Sequence, residues 1–296
     1  MSKNYIVTGG SGFIGSRVAE LLINQNHNVI VIDKNGVGTW KGNNIQLISE
    51  DLSDPNYDFS PFFRQADGVF HLAANPSVQD SIRNPLGTNI HNVDATLRVL
   101  EYGRQFGIGR VVFSSSSAVY GNTDALPSHE DCVPNPISPY ALQKLICEQY
   151  CKLYSTLYGI ETVSLRYFNV YGDGLFPNRN SSYSSVLNTF RRQKAQGQPL
   201  TITGDGKQRR DFVHVEDVAR MNLIAMTSSR VGAGEVINVG TGKSYSVAEI
   251  AEAFDTKKVF VPALAEPKES LCCTKRAFQL GWMPSHDLIR WLKSNV

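Results

Sequence analysis

The chain has 296 residues, 42% of them hydrophobic and 19% charged, with a net charge of +2 and a pI near 8.2. That apolar content can build a large core, in one domain or in two intimately joined ones, and the mild charge excludes nucleic acid as an expected partner, leaving Arg191, Arg192 and Lys194 as a solvated helix face. No basic-then-apolar leader opens the sequence and no run approaches roughly eighteen apolar residues, so neither export nor membrane insertion is indicated and a cytoplasmic location is expected. Five cysteines without paired zinc spacings read as thiols in a reducing compartment, and no metal site is expected.

The first apolar strand, Tyr5 to Thr8, runs into a loop with glycines at 9, 12 and 15 and then into a helical stripe of Ile14, Val18, Leu21 and Leu22. Gly9 permits the tight exit from the strand, Gly12 lets backbone approach a pyrophosphate, and Gly15 allows close helix–strand packing. The helix N-terminus then offers free N–H groups to phosphates. The second strand, Val29–Ile32, ends in Asp33, whose carboxylate can accept from both adenosine ribose hydroxyls and would repel a 2′-phosphate, so the sequence predicts NAD rather than NADP. A flavodoxin-like sheet with an incidental glycine turn is the plainer alternative.

The third strand, Ile45–Ile48, leads to Asp51 and Leu52; the Asp51 carboxylate could accept from the adenine amino group or be an exposed loop acid. A fourth strand over Val69–Ala74 ends in the small residues Ala73 and Ala74, where a cofactor must lie close, and His71 inside it reads as a core histidine. A helix is expected from Thr88 to Phe106, with Ile90, Val93, Leu97 and Leu100 at helical spacing and Asn92 on it. The fifth strand, Arg110–Ser117, spills serines onto its C-terminal end, where ligands of open α/β sheets collect and where hydroxyls can equally satisfy loop amides.

Pro134–Pro139 must be extended and then start a helix, with Ser138 as N-cap and Pro139 at the first helical position. Tyr140 therefore stands in its first turn and Lys144 four residues on, sharing a helix face. An ammonium beside a phenol favours phenolate, drawing a pKa that starts near 10 toward working pH; an ordinary exposed pair is the alternative. The helix runs to Gly159, a C-cap, and Thr162–Leu165 is a sixth strand. Gly172–Ser185 reads as an excursion from the sheet, Val186–Gln196 as a helix and Leu200–Thr203 as a short strand; Glu235–Val239 returns to the sheet and the remainder forms a small cap. The alternation of strands and helices predicts an α/β, Rossmann-like doubly wound parallel sheet.

The glycine loop, Asp33, Asp51–Leu52, His71–Ala74, Ser114–Gly121, Ser138–Lys144, Arg166–Gly172, Arg209–Val218 and Leu280–Pro284 together resemble the extended short-chain dehydrogenase/reductase family, and within it the NDP-sugar epimerases of UDP-hexose 4-epimerase type. The resemblance implies residues 1–169 as the NAD-binding domain, with 212–240 returning to it, and 170–211 with 241–296 as a smaller substrate-binding cap. It implies NAD contacts from Gly9, Gly12, Phe13, Ile14, Gly15, Asp33, Lys34, Asn35, Asp51, Leu52, Leu72, Ala73, Ala74, Asn92, Ser114, Tyr140, Lys144 and Phe168. In that pattern Tyr140 is the general base, Lys144 tunes it and holds the nicotinamide ribose, and Ser116 steers the proton at O4. Asn169 and Arg210 clasp the sugar nucleotide's pyrophosphate, and Tyr183, Val186 and Thr203 border its base.

The 4,6-dehydratases of the same family carry Thr-Asp-Glu where this chain has Ser116-Ser117-Ala118, which favours epimerisation; decarboxylases are excluded less firmly, and an inactive NAD-binding regulator would lack one of Ser116, Tyr140 or Lys144. The family's C-terminal nucleotide-gripping arginine has no counterpart between Arg230 and Arg276, where Lys268 could stand in as a point charge. The two long helices resemble those that pair in a four-helix dimer interface, so a homodimer is expected.

Overall fold

The structure, a computed structural model, describes residues 1–36, 38, 40–173, 186–263 and 267–296. β1 (Asn4–Thr8) leads through the glycine loop into α1 (Phe13–Asn24), followed by β2 (Asn28–Ile32), β3 (Ile45–Ile48), α2 (Ser60–Phe63) and β4 (Gly68–His71). Then come α3 (Val78–Arg83), α4 (Pro85–Asn89), a π turn over Ile90–Asp94, α5 (Ala95–Phe106), β5 (Arg110–Ser116), a 3₁₀ turn at Ser117–Tyr120 and α6 (Pro139–Tyr158). The chain continues through β6 (Glu161–Tyr167), β7 (Asn169–Tyr171), α7 (Val186–Ala195), β8 (Leu200–Thr203), β9 (Arg209–His214), α8 (Val215–Thr227) and β10 (Ala233–Val239). It closes with β11 (Ser244–Ser246), α9 (Val247–Glu252), β12 (Lys258–Val261), β13 (Glu269–Ser270), α10 (Lys275–Gln279) and α11 (Leu288–Asn295).

Seven strands form one sheet in the order β10-β6-β5-β4-β1-β2-β3, every pair parallel. Because side chains alternate across a strand, Tyr5 and Val7 of β1 pack on one face with Val18 and Leu22 of α1 and Met221 and Ala225 of α8. Ile6 packs on the other with Val99 and Leu100 of α5 and Cys147 of α6. Helices on both faces leave the strands as apolar runs and define the doubly wound fold. Strand order reverses between β1 and β4, and a crevice opens there outside the carboxyl ends.

α6 follows the sequence closely: the Ser138 hydroxyl accepts from Ala141 N, Pro139 opens the helix, and Gly159 ends it with φ 71°. The helix expected from Thr88 instead starts at Pro85, where the Asn84 side chain accepts from Gly87 N at 3.0 Å, and the π turn interrupts it before α5. Sequence reading passed over α8, whose first turn is capped by the His214 ring accepting from Glu216 N.

A second sheet has the order β11-β9-β13, with β7 beside β9, and β8 pairs with β12. These strands gather on a separate core of Phe190, Phe212, Phe254 and Leu292. The C-terminal stretch also reaches the first layer: buried Trp282 joins the core of β1 and α1 and donates from Nε1 to Asp217 O at 2.8 Å. The Asp217 carboxylate accepts from Ser285 N, Ser285 Oγ and His286 N, which pins the tail to α8.

Candidate active site

The carboxyl edge of the seven-stranded sheet carries a cleft of about 550 Å³ at the reversal point. Its floor is the glycine loop. Gly9 adopts φ +67°, where a Cβ would also sit 2.7 Å from Ala73 N, and a Cβ on Gly15 would collide with Gly9 O. The loop thus touches the end of β4 and its own helix, leaving no room for side chains. The buried Ser11 hydroxyl of this loop makes no hydrogen bond to the described residues, an orphan that suits a polyanionic ligand at the α1 N-terminus. Glycine cradle, helix end and orphaned hydroxyl fit a dinucleotide.

The cleft is lined by Gly9, Gly12, Phe13, Ile14, Gly15, Asp33, Lys34, Asn35, Asp51, Leu52, Leu72, Ala73, Ala74, Ser114, Ser116, Tyr140, Lys144 and Phe168. Of the residues expected at the cofactor, Asn92 alone is outside its lining. It is buried, its Oδ1 accepting from Asn75 N at 2.7 Å and its Nδ2 donating to Gln143 Oε1 at 2.8 Å. The π turn slips the helix register there, and its neighbour His91 reaches the cleft wall instead. An off-register turn has no mark in the apolar periodicity, which is why sequence reading missed His91.

At the β2–β3 end, Asp33 is buried and accepts from Ser11 N, Asn35 N and Asn35 Nδ2 at 3.0, 2.9 and 3.1 Å. Burial acts to raise the Asp51 pKa, but hydrogen bonds from Ser53 and the Lys34 ammonium 3.2 Å away outweigh it and hold the carboxyl below its ordinary value. Ser53 Oγ bridges Asp51 and the His91 ring.

At the other end, β5 and α6 face each other. Lys144 is buried and donates from Nζ to Ser114 O at 2.7 Å, and the ammonium lies 5.9 Å from the Tyr140 ring centroid and 4.9 Å from that of Phe113. Burial draws its pKa down to about 8, against the upward pull of Cys147 and Glu148. The α6 start is held by Tyr140 N donating to Ser81 Oγ at 3.0 Å. The Ser116 hydroxyl accepts from Ala118 N at the 3₁₀ turn. His71 lies beneath, fully buried, with Thr8 and Thr96 hydroxyls on its two ring nitrogens, and burial pushes its pKa down to about 3. It is a neutral core group.

The carboxylates lining the cleft among the described residues are Asp33, Glu50 and Asp51, all at the β2–β3 end. None stands beside Ser116, Tyr140 and Lys144.

Of the residues expected at the sugar nucleotide, Ser116 lines this cleft, while Asn169, Val186, Thr203 and Arg210 are outside its lining. Asn169, on β7, donates to Asp211 O at 3.0 Å. Arg210, on β9, donates from Nη1 to Arg209 O. Thr203, at the end of β8, accepts Gln208 Nε2 on both its hydroxyl and its carbonyl. Val186 opens α7, half-buried. Tyr183 lies outside the described residues. β7 and α7 supply Val170 and Asn188 to the cleft wall, which sequence reading did not name. Lys268 is exposed, its carbonyl accepting from Arg209 N.

A glycine-cradled crevice at the reversal point of a doubly wound sheet, with a tyrosine and a lysine one helical turn apart at its far end, defines a dinucleotide-dependent enzyme. The family model of the NAD dependent epimerase/dehydratase family matches residues 5–240, and the chain belongs to that family. A UDP-glucose 4-epimerase of Mycolicibacterium smegmatis is 31% identical over 98% of this chain and 96% of its own. The solved UDP-N-acetylglucosamine 4-epimerase of Methanobrevibacter ruminantium, in complex with UDP-N-acetylmuramic acid, is 35% identical with a TM-score of 0.91, covering 99% and 96% of the two chains. The Thermus thermophilus UDP-glucose 4-epimerase in complex with NAD is 29% identical with a TM-score of 0.85, covering 98% and 96%.

Proposed function

We propose that the protein is an NAD-dependent epimerase that interconverts UDP-hexoses, UDP-glucose and UDP-galactose or their N-acetyl forms, at C4 through a 4-keto sugar. The observation that carries this reading is the cleft end where Ser114, Ser116, Tyr140 and Lys144 meet with no carboxylate in the lining among the described residues. NAD supplies a hydride acceptor and donor there when bound. The glycine loop and α1 N-terminus hold its pyrophosphate, Asp33 its adenosine ribose, Asp51 and the His91 wall its adenine, and Lys144 its nicotinamide ribose. Tyr140 Oη, as phenolate, takes the proton of the sugar 4-OH, with Ser116 bonded to the same oxygen. The Lys144 ammonium sustains that phenolate. Once the keto sugar has turned its other face, Tyr140 returns the proton. Phe168 packs near the nicotinamide, Asn169 and Arg210 take the substrate pyrophosphate, and Tyr183, Val186 and Thr203 border its base.

Elimination of water across C5 and C6, the dehydratase outcome, needs an acid and a base beside the sugar. The absence of carboxylates from the cleft lining at that end, among the described residues, supports epimerisation. The test is incubation with UDP-glucose, UDP-galactose and both N-acetyl forms, followed by proton NMR of the ring couplings. Inversion at H4 is expected, with Tyr140→Phe retaining NAD and losing most turnover. A 4-keto-6-deoxy product, release of carbon dioxide from a UDP-uronate, or no turnover with NAD bound would each replace the reading.

The chain is further proposed to act as a homodimer, with residues 1–169 as the cofactor domain, rejoined by 212–240, and 170–211 with 241–296 as the substrate cap. Ile82 on α3, Leu86 on α4 and Ile90 at the start of the π turn, with Leu142, Leu153 and Leu157 on α6, are exposed apolar side chains suited to burial against a second copy. A monomeric mass in sedimentation equilibrium at micromolar concentration would refute the dimer. No helix among the described residues is long and apolar enough to cross a membrane, and five free thiols suit the reducing cytoplasm.

A further inference from the structure

α6 carries a third side chain on the face of Tyr140 and Lys144. Glu148, one turn beyond Lys144, is 3% exposed. Its Oε1 accepts from Ser115 Oγ at 2.5 Å and from Arg166 Nε at 2.9 Å, and its Oε2 accepts from Arg166 Nη2 at 2.7 Å. Ser115 and Arg166 are paired residues of β5 and β6, so a single carboxylate ties the helix to two neighbouring strands. Ser115 and both its neighbours on β5 line the cleft, and the neighbours meet the reaction: Ser114 O receives the Lys144 ammonium, and Ser116 faces Tyr140's end of the cleft.

Arg166 is also buried. Its Nη1 makes no hydrogen bond to the described residues, and its guanidinium lies 4.7 Å from the Tyr120 ring centroid. Tyr120 Oη donates to Asn238 Oδ1 at 2.7 Å, carrying the network on to β10. A buried ion pair is seldom more stabilising than apolar residues of the same volume, because both charges forfeit water. What it does supply is directional registry.

We propose that Glu148 is a positioning residue for the reaction: through Ser115 it sets the rotation of α6 against the end of β5, so that Tyr140, Lys144 and Ser116 address one substrate oxygen. The proposal rests on the epimerase reading above. Sub-ångström displacement of groups like these costs turnover far more than binding.

Ser115→Ala removes only the tie to β5, since Glu148 keeps Arg166 of β6. It is expected to fold with an unchanged melting temperature, retain NAD, leave KM within threefold and lower kcat by about tenfold, while Ser115→Thr, which keeps the hydroxyl, restores turnover. The paired change Glu148→Leu with Arg166→Met is expected to fold at least as stably as the parent and to lose kcat by about tenfold or more, again with KM nearly unchanged. A Ser115→Ala enzyme with wild-type kcat overturns the proposal. So does a loss of kcat that tracks a fall in melting temperature and is not recovered by Ser115→Thr. If the wild type turned over no UDP-sugar, the epimerase reading would fail by itself. The positioning claim is then read from a crystal structure of Ser115→Ala: Lys144 Nζ displaced from Ser114 O supports it, and a retained bond of 2.7 Å overturns it.

Discussion

Replacing Lys144 with methionine isolates the electrostatic part of the proposed chemistry. Methionine matches the length of the aliphatic stem and removes the ammonium that lies 5.9 Å from the Tyr140 ring centroid. At an effective dielectric of about 20, an ammonium and a phenolate at that separation attract by about 3 kcal/mol. Deleting the charge therefore lowers the phenolate population about a hundredfold. With NAD and UDP-sugar saturating, kcat near neutral pH should fall by about that factor and recover as the buffer is made alkaline. The wild type should behave oppositely, losing turnover above the Lys144 pKa of about 8 as the ammonium is neutralised. Stability moves the other way. Burial has drawn Lys144 down from 10.5, so its charge costs the fold on the order of 3 kcal/mol at pH 7. That relief is reduced in the variant by the lost bond between the ammonium and Ser114 O, of about 1.5–3 kcal/mol. Lys144→Met should melt no lower than the parent while turning over far more slowly. The assay is NMR of UDP-galactose conversion from pH 6 to 10, with NAD affinity measured separately by calorimetry. A kcat within threefold of wild type, or a loss that does not vary with pH, would refute the electrostatic role.

Gly15→Ala places a methyl against Gly9 O and 2.8 Å from Gly10 Cα; overpacking of that size costs about 1–3 kcal/mol, and NAD affinity by calorimetry should fall at least tenfold, an unchanged value refuting the cradle. Asp33→Ser removes the carboxylate at the β2 end, so the ratio of NADP to NAD affinity should rise by about tenfold or more as a like-charge repulsion is removed; an unaltered ratio would show that Asp33 does not face the ribose. His71, neutral and buried, has its pKa depressed to about 3, so its contribution to stability is present above the ordinary value of 6.5 and is lost as pH falls from there toward 3, by up to about 1.4 kcal/mol per pH unit. Urea unfolding between pH 6 and 4 should show that slope in the wild type and a shallower one in His71→Gln; parallel profiles would refute it.

Much of this molecule is local in origin. The spacing of Gly9, Gly12 and Gly15 between an apolar strand and an apolar helical stripe, the cap at Ser138 and the stop at Gly159 depend on neighbours a few residues away, and those elements form where the sequence places them. Tyr140 and Lys144 share a face for the same reason, since one helical turn separates them. The π turn does not follow from local pattern: it exchanges Asn92 for His91 at the cleft, and only the packing of that helix against Gln143 and Asn75 selects it. The second sheet was passed over because its strands are short and their partners distant, β9 pairing with β7, β11 and β13 across gaps that periodicity does not span. The sequence by itself determined the strand–helix alternation, the phosphate loop and the phenol–ammonium pair. Tertiary structure decided that β5 would bring Ser114 and Ser116 to that pair, that Glu148 would bind the helix to two strands, and that the carboxylates would stay at the far end of the cleft. Those arrangements arise from contacts between residues far apart in the chain, and such contacts form only when the whole core is assembled.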